Sequence, residues 1–111
     1  MQSARYTSPD ARFTLVVDPA DDTIGFEGYS WCIEADDLAA FRIDPPISTG
    51  DQLLEALLDR RLVIVISRFV DTGDAIRDVW ITHDPSAEKR CSDEGESLEF
   101  RYWDGAECAV A

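Results

Sequence analysis

The stretch Thr49–Ile66, TGDQLLEALLDRRLVIVI, decides the fold. Its first part has the periodicity of a helix and its last part the character of a strand, with no linker between them. Leu53, Leu54, Leu57 and Leu58 form one apolar stripe at helical spacing, with Gln52, Glu55 and Asp59 on the other side. Ser48 and Thr49 offer N-caps, and Thr49-x-x-Gln52 fits a capping box. Arg60 and Arg61 fall in the expected last turn, where cations meet the negative end of the helix dipole. The chain then enters Leu62–Ile66, apolar on both alternating faces and β-branched from Val63 onward. That pattern predicts a central strand covered on both sides, or at least a well-buried one. A helix feeding directly into such a strand implies a layer of helix lying on a sheet.

Towards the N-terminus, Asp44-Pro45-Pro46 breaks the chain, because a residue before proline is pushed away from the helical region. Asp36 before it is a suitable N-cap for a short helix over 37–42. Ile24–Ala35 is rich in aromatics at period two and predicts one long strand, with a bulge or a close backbone approach at Gly25 or Gly28. Arg12–Val17 predicts a strand that pairs with it as a hairpin through the turn at 18–22. Residues 1–11 are polar and read as a loose lead-in.

Towards the C-terminus, 71–74 is a hairpin loop and Ala75–His83 the returning strand. Asp84–Gly95, with Pro85 and a run of charges, reads as a polar loop. Glu96–Trp103 alternates, with Leu98, Phe100 and Tyr102 on one face and Glu99, Arg101 and Trp103 on the other. Asp104-Gly105 signals a type I′ hairpin turn, after which 106–110 either pairs as a short edge strand or frays. The expected fold is therefore one α+β domain over 1–111: a mostly antiparallel sheet of five to six strands with one layer of two helices, in the order ββααβββ.

Charge is the compositional outlier. The 111 residues hold 23 Asp and Glu against 10 Lys and Arg, a formal net charge of −13. Residues 1–50 carry 9 acids and 3 bases and residues 51–111 carry 14 and 7, so the excess is spread along the chain. Such a field repels nucleic-acid phosphates and anionic lipids, and speeds encounter with a basic protein. Its plainer consequence is solubility. Met1–Asp10 has no apolar run of a signal peptide, and the longest apolar run, Leu62–Ile66, cannot span a bilayer. Cys32, Cys91 and Cys108 are odd in number and form no CxxC pair, which predicts neither a disulfide framework nor a thiolate metal site and points to reduced cytoplasm.

Motifs for chemistry are sparse, and no catalytic residue, metal ligand or cofactor is expected. His83 is the single histidine, and Asp84 beside it offers a carboxylate that orients an imidazole. No nucleophile motif accompanies the pair, so a histidine at the end of a turn is the simpler reading. The stretch 18–22 lacks the alternation and glycine of an EF-hand loop, and no phosphate-binding glycine motif occurs.

The segments GFEGYSW (25–31), RDVWITHDP (77–85) and LEFRYWDG (98–105), with the small size and acidity, resemble bacterial immunity proteins of contact-dependent or polymorphic-toxin systems. The resemblance implies a cytoplasmic protein that binds one toxin domain and blocks its active site. Many such toxins are nucleases with basic grooves. From the residues themselves, the expected contact surface is Glu34, Asp36, Asp37, Glu99, Trp103 and Asp104, carboxylates with an aromatic among them. Capping and solvation are the alternative for the acids at 34–37, and core packing is the alternative for Trp103. A small-molecule or regulatory module with a pocket between sheet and helices is the second function, and an enzyme using His83 the third. An edge strand at 106–110 leaves a homodimer open.

Overall fold

The structure is a computed structural model, and it describes residues 4–18, 23–71, 75–92 and 94–110. The turn expected at 18–22 and the hairpin loop at 71–74 lie largely outside the described residues. The fold is α+β with antiparallel pairing throughout, as expected. The expected single sheet is instead two. β1 (Ala4–Thr7), β2 (Thr14–Asp18), β3 (Thr23–Phe26) and β4 (Cys32–Glu34) form one sheet in sequential order. β5 (Val63–Phe69), β6 (Ile76–Thr82) and β7 (Glu96–Arg101) form a second, with β5 in the centre. A 3-10 helix (Ala35–Ala40), α1 (Gly50–Leu58) and α2 (Pro85–Arg90) complete the order.

Four expectations are corrected by local chemistry. The lead-in holds β1, an edge strand with alternating exposure that pairs antiparallel with β2. The long strand expected at 24–35 is divided by a turn at 27–30, where Gly28 takes φ +86° and Tyr29 N–H donates to Phe26 O at 3.2 Å. The close approach falls at Gly25: a β-carbon there would lie 2.7 Å from the Trp31 carbonyl oxygen. The polar loop at 84–95 contains α2, because Pro85 sits in the first turn, where its missing N–H costs nothing. Asp84 caps that helix by accepting from Ala87 N–H at 3.1 Å. The last strand stops at Arg101, and the turn that follows has positive φ only at Gly105. Tyr102 N–H donates to Ala106 O and Gly105 N–H to Tyr102 O, so the connection is a turn with a glycine bulge and not a type I′ turn.

The helix expected after the capping box is present as α1, with Thr49 Oγ1 accepting from Gln52 N–H at 3.2 Å. The reciprocal bond is displaced by one residue, since Gln52 Oε1 accepts from Ser48 N–H at 2.7 Å. The buried face is Leu53, Ala56 and Leu57, whereas Leu58 is 58% exposed. The helix ends at Leu58, so Arg60 and Arg61 lie beyond it, Arg60 at φ 60°.

β5 is covered on both sides, as its apolar run predicts. Ile64 and Ile66 enter the main core with Leu15, Ile24 and Phe26 of the first sheet, Leu53 and Leu57 of α1, and Leu38 of the 3-10 helix. Val63 and Val65 face a second, smaller cluster with Phe100 and Cys108. The segment 106–110 supplies that cover: Arg101 bridges to Glu107, and Cys108 N–H donates to Phe100 O at 2.9 Å.

Candidate functional site

Charge is unevenly compensated over this fold. Seven of the ten bases are held in ion pairs: Arg5 with Glu27, Arg60 with Asp104, Arg61 with Asp59, Arg77 with Glu96, and Arg12, Arg68 and Arg101 all with Glu99. Between residues 34 and 55 there are six acids, Glu34, Asp36, Asp37, Asp44, Asp51 and Glu55, against one base, Arg42. All six acids are exposed, and none enters an ion pair among the described residues. Asp51 accepts from the Tyr6 hydroxyl at 3.3 Å.

β4, the 3-10 helix and α1 carry five of these acids, Glu34, Asp36, Asp37, Asp51 and Glu55. β4 leads without a break into the 3-10 helix, whose fully buried Leu38 anchors it while Asp36 and Asp37 point outward. The N-terminus of α1 packs on the first sheet through Gly50, which lies against Val17. A hollow of about 170 Å³ at this junction is lined by Val17, Ile24, Ala35, Thr49 and Gly50. It is smaller than the about 300 Å³ at which ligand pockets begin.

The six residues expected to form the contact surface fall into two groups. Glu34, Asp36 and Asp37 belong to the uncompensated strip. Glu99, Trp103 and Asp104 do not. Trp103 is 5% exposed and part of the main core, so it is not an exposed anchor. The face read as the wetter one is the face that β7 turns towards the main core. Glu99 lies at the rim of that core. Burial alone would raise its carboxyl, but hydrogen bonds from Arg101 (2.5 Å) and Arg68 (3.1 Å) outweigh burial and hold it below its ordinary value. Asp104 accepts from Arg60 at 2.6 Å and from Ala106 N–H at 3.0 Å, and these bonds likewise lower it. Arg60 also lies over the Tyr102 ring, 4.7 Å from its centroid.

Asp44, Asp51 and Glu55 were absent from the expected surface, although the surplus of acids over 34–55 marks them in the sequence. His83 is exposed and meets the Phe41 ring edge-on at 6.2 Å. The Asp84 carboxylate that could orient it caps α2 instead. Cys32 and Cys91 are exposed and Cys108 is buried, all with free thiols. Among the described residues no helix is long and apolar enough to cross a membrane. No protein-family model, curated protein or solved structure matches this chain.

Proposed function

We propose that the chain is an acidic protein-binding domain, an immunity-type inhibitor that occupies the substrate groove of a basic, nuclease-type toxin. The observation that supports it is the set of six exposed acids at 34–55 with no ion-pair partner among the described residues, on a molecule whose bases are largely committed elsewhere. Exposed carboxylates carried on packed elements present acceptors to a surface built for phosphates. Glu34, Asp36 and Asp37 are its proposed centre, with Asp44, Asp51 and Glu55 extending it. Binding of this kind needs neither cofactor nor catalysis, and a cytoplasmic site of action suits three free thiols.

The test is affinity capture from native host lysate at about 50 mM and about 500 mM salt, spanning a large change in screening length. One basic protein retained at low salt and weakened at high salt is the expected result, with retention lost in the Glu34→Lys, Asp36→Lys, Asp37→Lys triple variant. Absence of any retained protein at both salts would overturn the reading. Retention unchanged in the triple variant would remove that centre from it.

A further inference from the structure

The outward face of the first sheet has a gap at Gly25. The strand register fixes which side chains share that face. Arg5, Val16, Gly25 and Cys32 form one row across β1, β2, β3 and β4, and Asp18, Thr23 and Glu34 form the next. The alternate residues Leu15, Val17, Ile24, Phe26 and Ile33 pack in the main core, so these two rows face away from it. Gly25 leaves its place in the first row without a side chain, and a β-carbon there would meet the Trp31 carbonyl oxygen at 2.7 Å. Over the gap lies a hollow of about 250 Å³, lined on the sheet by Val16, Asp18, Thr23, Gly25 and Cys32, with Glu27 and the turn at 29–31 completing its wall. The charges around it are unequal. Asp18, Glu27 and Glu34 are carboxylates, and Asp78 of β6 adds a fourth behind the turn, where it accepts from the Ser30 hydroxyl at 3.2 Å. Arg5 is the one base of the two rows, and it is held by Glu27. Glu34 is exposed, enters no ion pair among the described residues, and makes no side-chain cap to the helix that follows it.

We infer that this hollow receives one basic side chain, arginine or lysine, from the partner protein. Its alkyl stem lies over Gly25 between Val16 and Cys32, and its cation reaches the row that ends in Glu34. The size of the hollow selects such an occupant, since it is below the about 300 Å³ at which pockets for small-molecule ligands begin. Its lining does so too, because long basic side chains lay their stems on apolar surface and keep the charged head in water. The chain's own Arg5 shows that this face accommodates one: from β1 it crosses β2 to pair with Glu27 at the end of β3. The cations of the face are thereby used, and the carboxylates exceed them. The inference deepens the proposed function. It rests on that reading for a basic partner, and on the gap at Gly25 for the place where one residue of that partner is seated.

The probe is the peptide acetyl-Gly-Arg-Gly-amide, titrated at low salt into the isotope-labelled full chain and read by backbone amide chemical shifts. The amides of Val16, Thr23, Gly25 and Cys32 are expected to shift together and to saturate with a single Kd. The same peptide with citrulline in place of arginine, alike in shape and uncharged, leaves them where they are. Val16→Phe keeps every charge and fills the hollow, so it abolishes the response. Cys32→Phe fills it from the opposite side and serves if Val16→Phe does not fold. Glu34→Gln keeps the shape and weakens binding by up to about fivefold, the range of an exposed ion pair. Equal shifts with both peptides, parent affinity in the filled variants, or shifts confined to residues 36–55 would each overturn the inference. Shifts of the four amides that grow with protein concentration without peptide would place a second copy in the hollow and overturn it as well. Shifts confined to 36–55 would leave the acidic-strip reading standing. Failure of lysate capture with the response at Gly25 intact would overturn that reading alone.

Discussion

Gly50, the first residue of α1, lies against Val17 of β2 so closely that a β-carbon at position 50 would come within 2.8 Å of Val17 Cγ1. Nothing in the sequence of the helix asks for glycine at this position. The neighbouring sheet does, and the contact sets the depth at which α1 and its acids approach the first sheet. Gly50→Ala is expected to destabilise by about 1–2 kcal/mol, because a branched side chain in a packed contact yields little, and this exceeds the helix-propensity gain of about 1 kcal/mol at best. In a Val17→Ala background the same change becomes neutral or stabilising. Denaturant titration of the two single variants and the double variant measures the coupling, and additivity would show that the contact is not what constrains position 50.

Trp103 provides a sharper test of packing. With 5% exposure in the main core, its removal leaves a cavity in that core, and Trp103→Ala is expected to cost about 3–5 kcal/mol. Trp31 and Trp80 are only partly buried. The emission of Trp103 in single-tryptophan variants should be the most blue-shifted and the least quenched by acrylamide. Ready quenching of Trp103 would contradict its burial.

The contrast between β5 and Trp103 shows what the sequence carries and what it does not. β5 was legible because burial on both faces writes an unbroken β-branched run. The capping of α1 at Thr49 was legible because it depends on neighbours three residues apart. Trp103 was not, because alternation places it with Glu99 and Arg101, and nothing local marks their face as the one that β7 turns towards the main core. α2 was missed because Pro85 reads as a breaker until Asp84 is seen as its cap. The four strands of the first sheet depend on β1, a four-residue strand with half-buried Ala4 and Tyr6, and on the turn at Gly28 that divides β3 from β4. Within the candidate surface, the acids at 34–37 were legible as charges. That Glu99 is neutralised by three arginines distant in sequence was not, since such pairing is a property of the folded sheet.

The acidic strip should weaken the fold that carries it. Reversing Glu34, Asp36 and Asp37 to Lys shifts the net charge by three times two, from −13 to −7. Relief of self-repulsion is expected to stabilise by about 0.5–1 kcal/mol at low ionic strength. Asp36 and Asp37 occupy the first turn of the 3-10 helix, where acids are favoured by a few tenths of a kcal/mol, about 0.3 each at an exposed end. Summed over the two positions that opposing effect is about 0.6 kcal/mol, so the net stabilisation is at most about 0.4 kcal/mol. Thermal melts should show the triple variant above the parent at low salt, the difference vanishing or reversing near 1 M salt, where the screening length is about 3 Å. A variant less stable than the parent at low salt would mean that the acids serve their own helix more than they repel one another.

Glu99 should behave in the opposite way. Its carboxyl is held below the ordinary value by Arg101 and Arg68, with Arg12 3.8 Å away, so the folded state binds its proton less readily than the unfolded chain. A depressed folded value contributes stability that is fully present above the unfolded carboxylate value of about 4.3. That stability is lost as pH falls through the folded value. Glu99→Gln keeps the shape and removes the charge, leaving three guanidinium groups facing a neutral amide. At pH 7 the variant should lose about 1 kcal/mol, modest because the cluster is partly solvated. The parent and the variant should then converge as pH falls below 4, because protonation makes Glu99 neutral as well. Asp10 and Asp104 are also held low and keep titrating in both proteins, so the variant retains part of its acid sensitivity. Stability measured by urea titration between pH 7 and pH 3 follows the difference between the two. A difference that stayed constant across that range would show that Glu99 acts through packing and not through its charge.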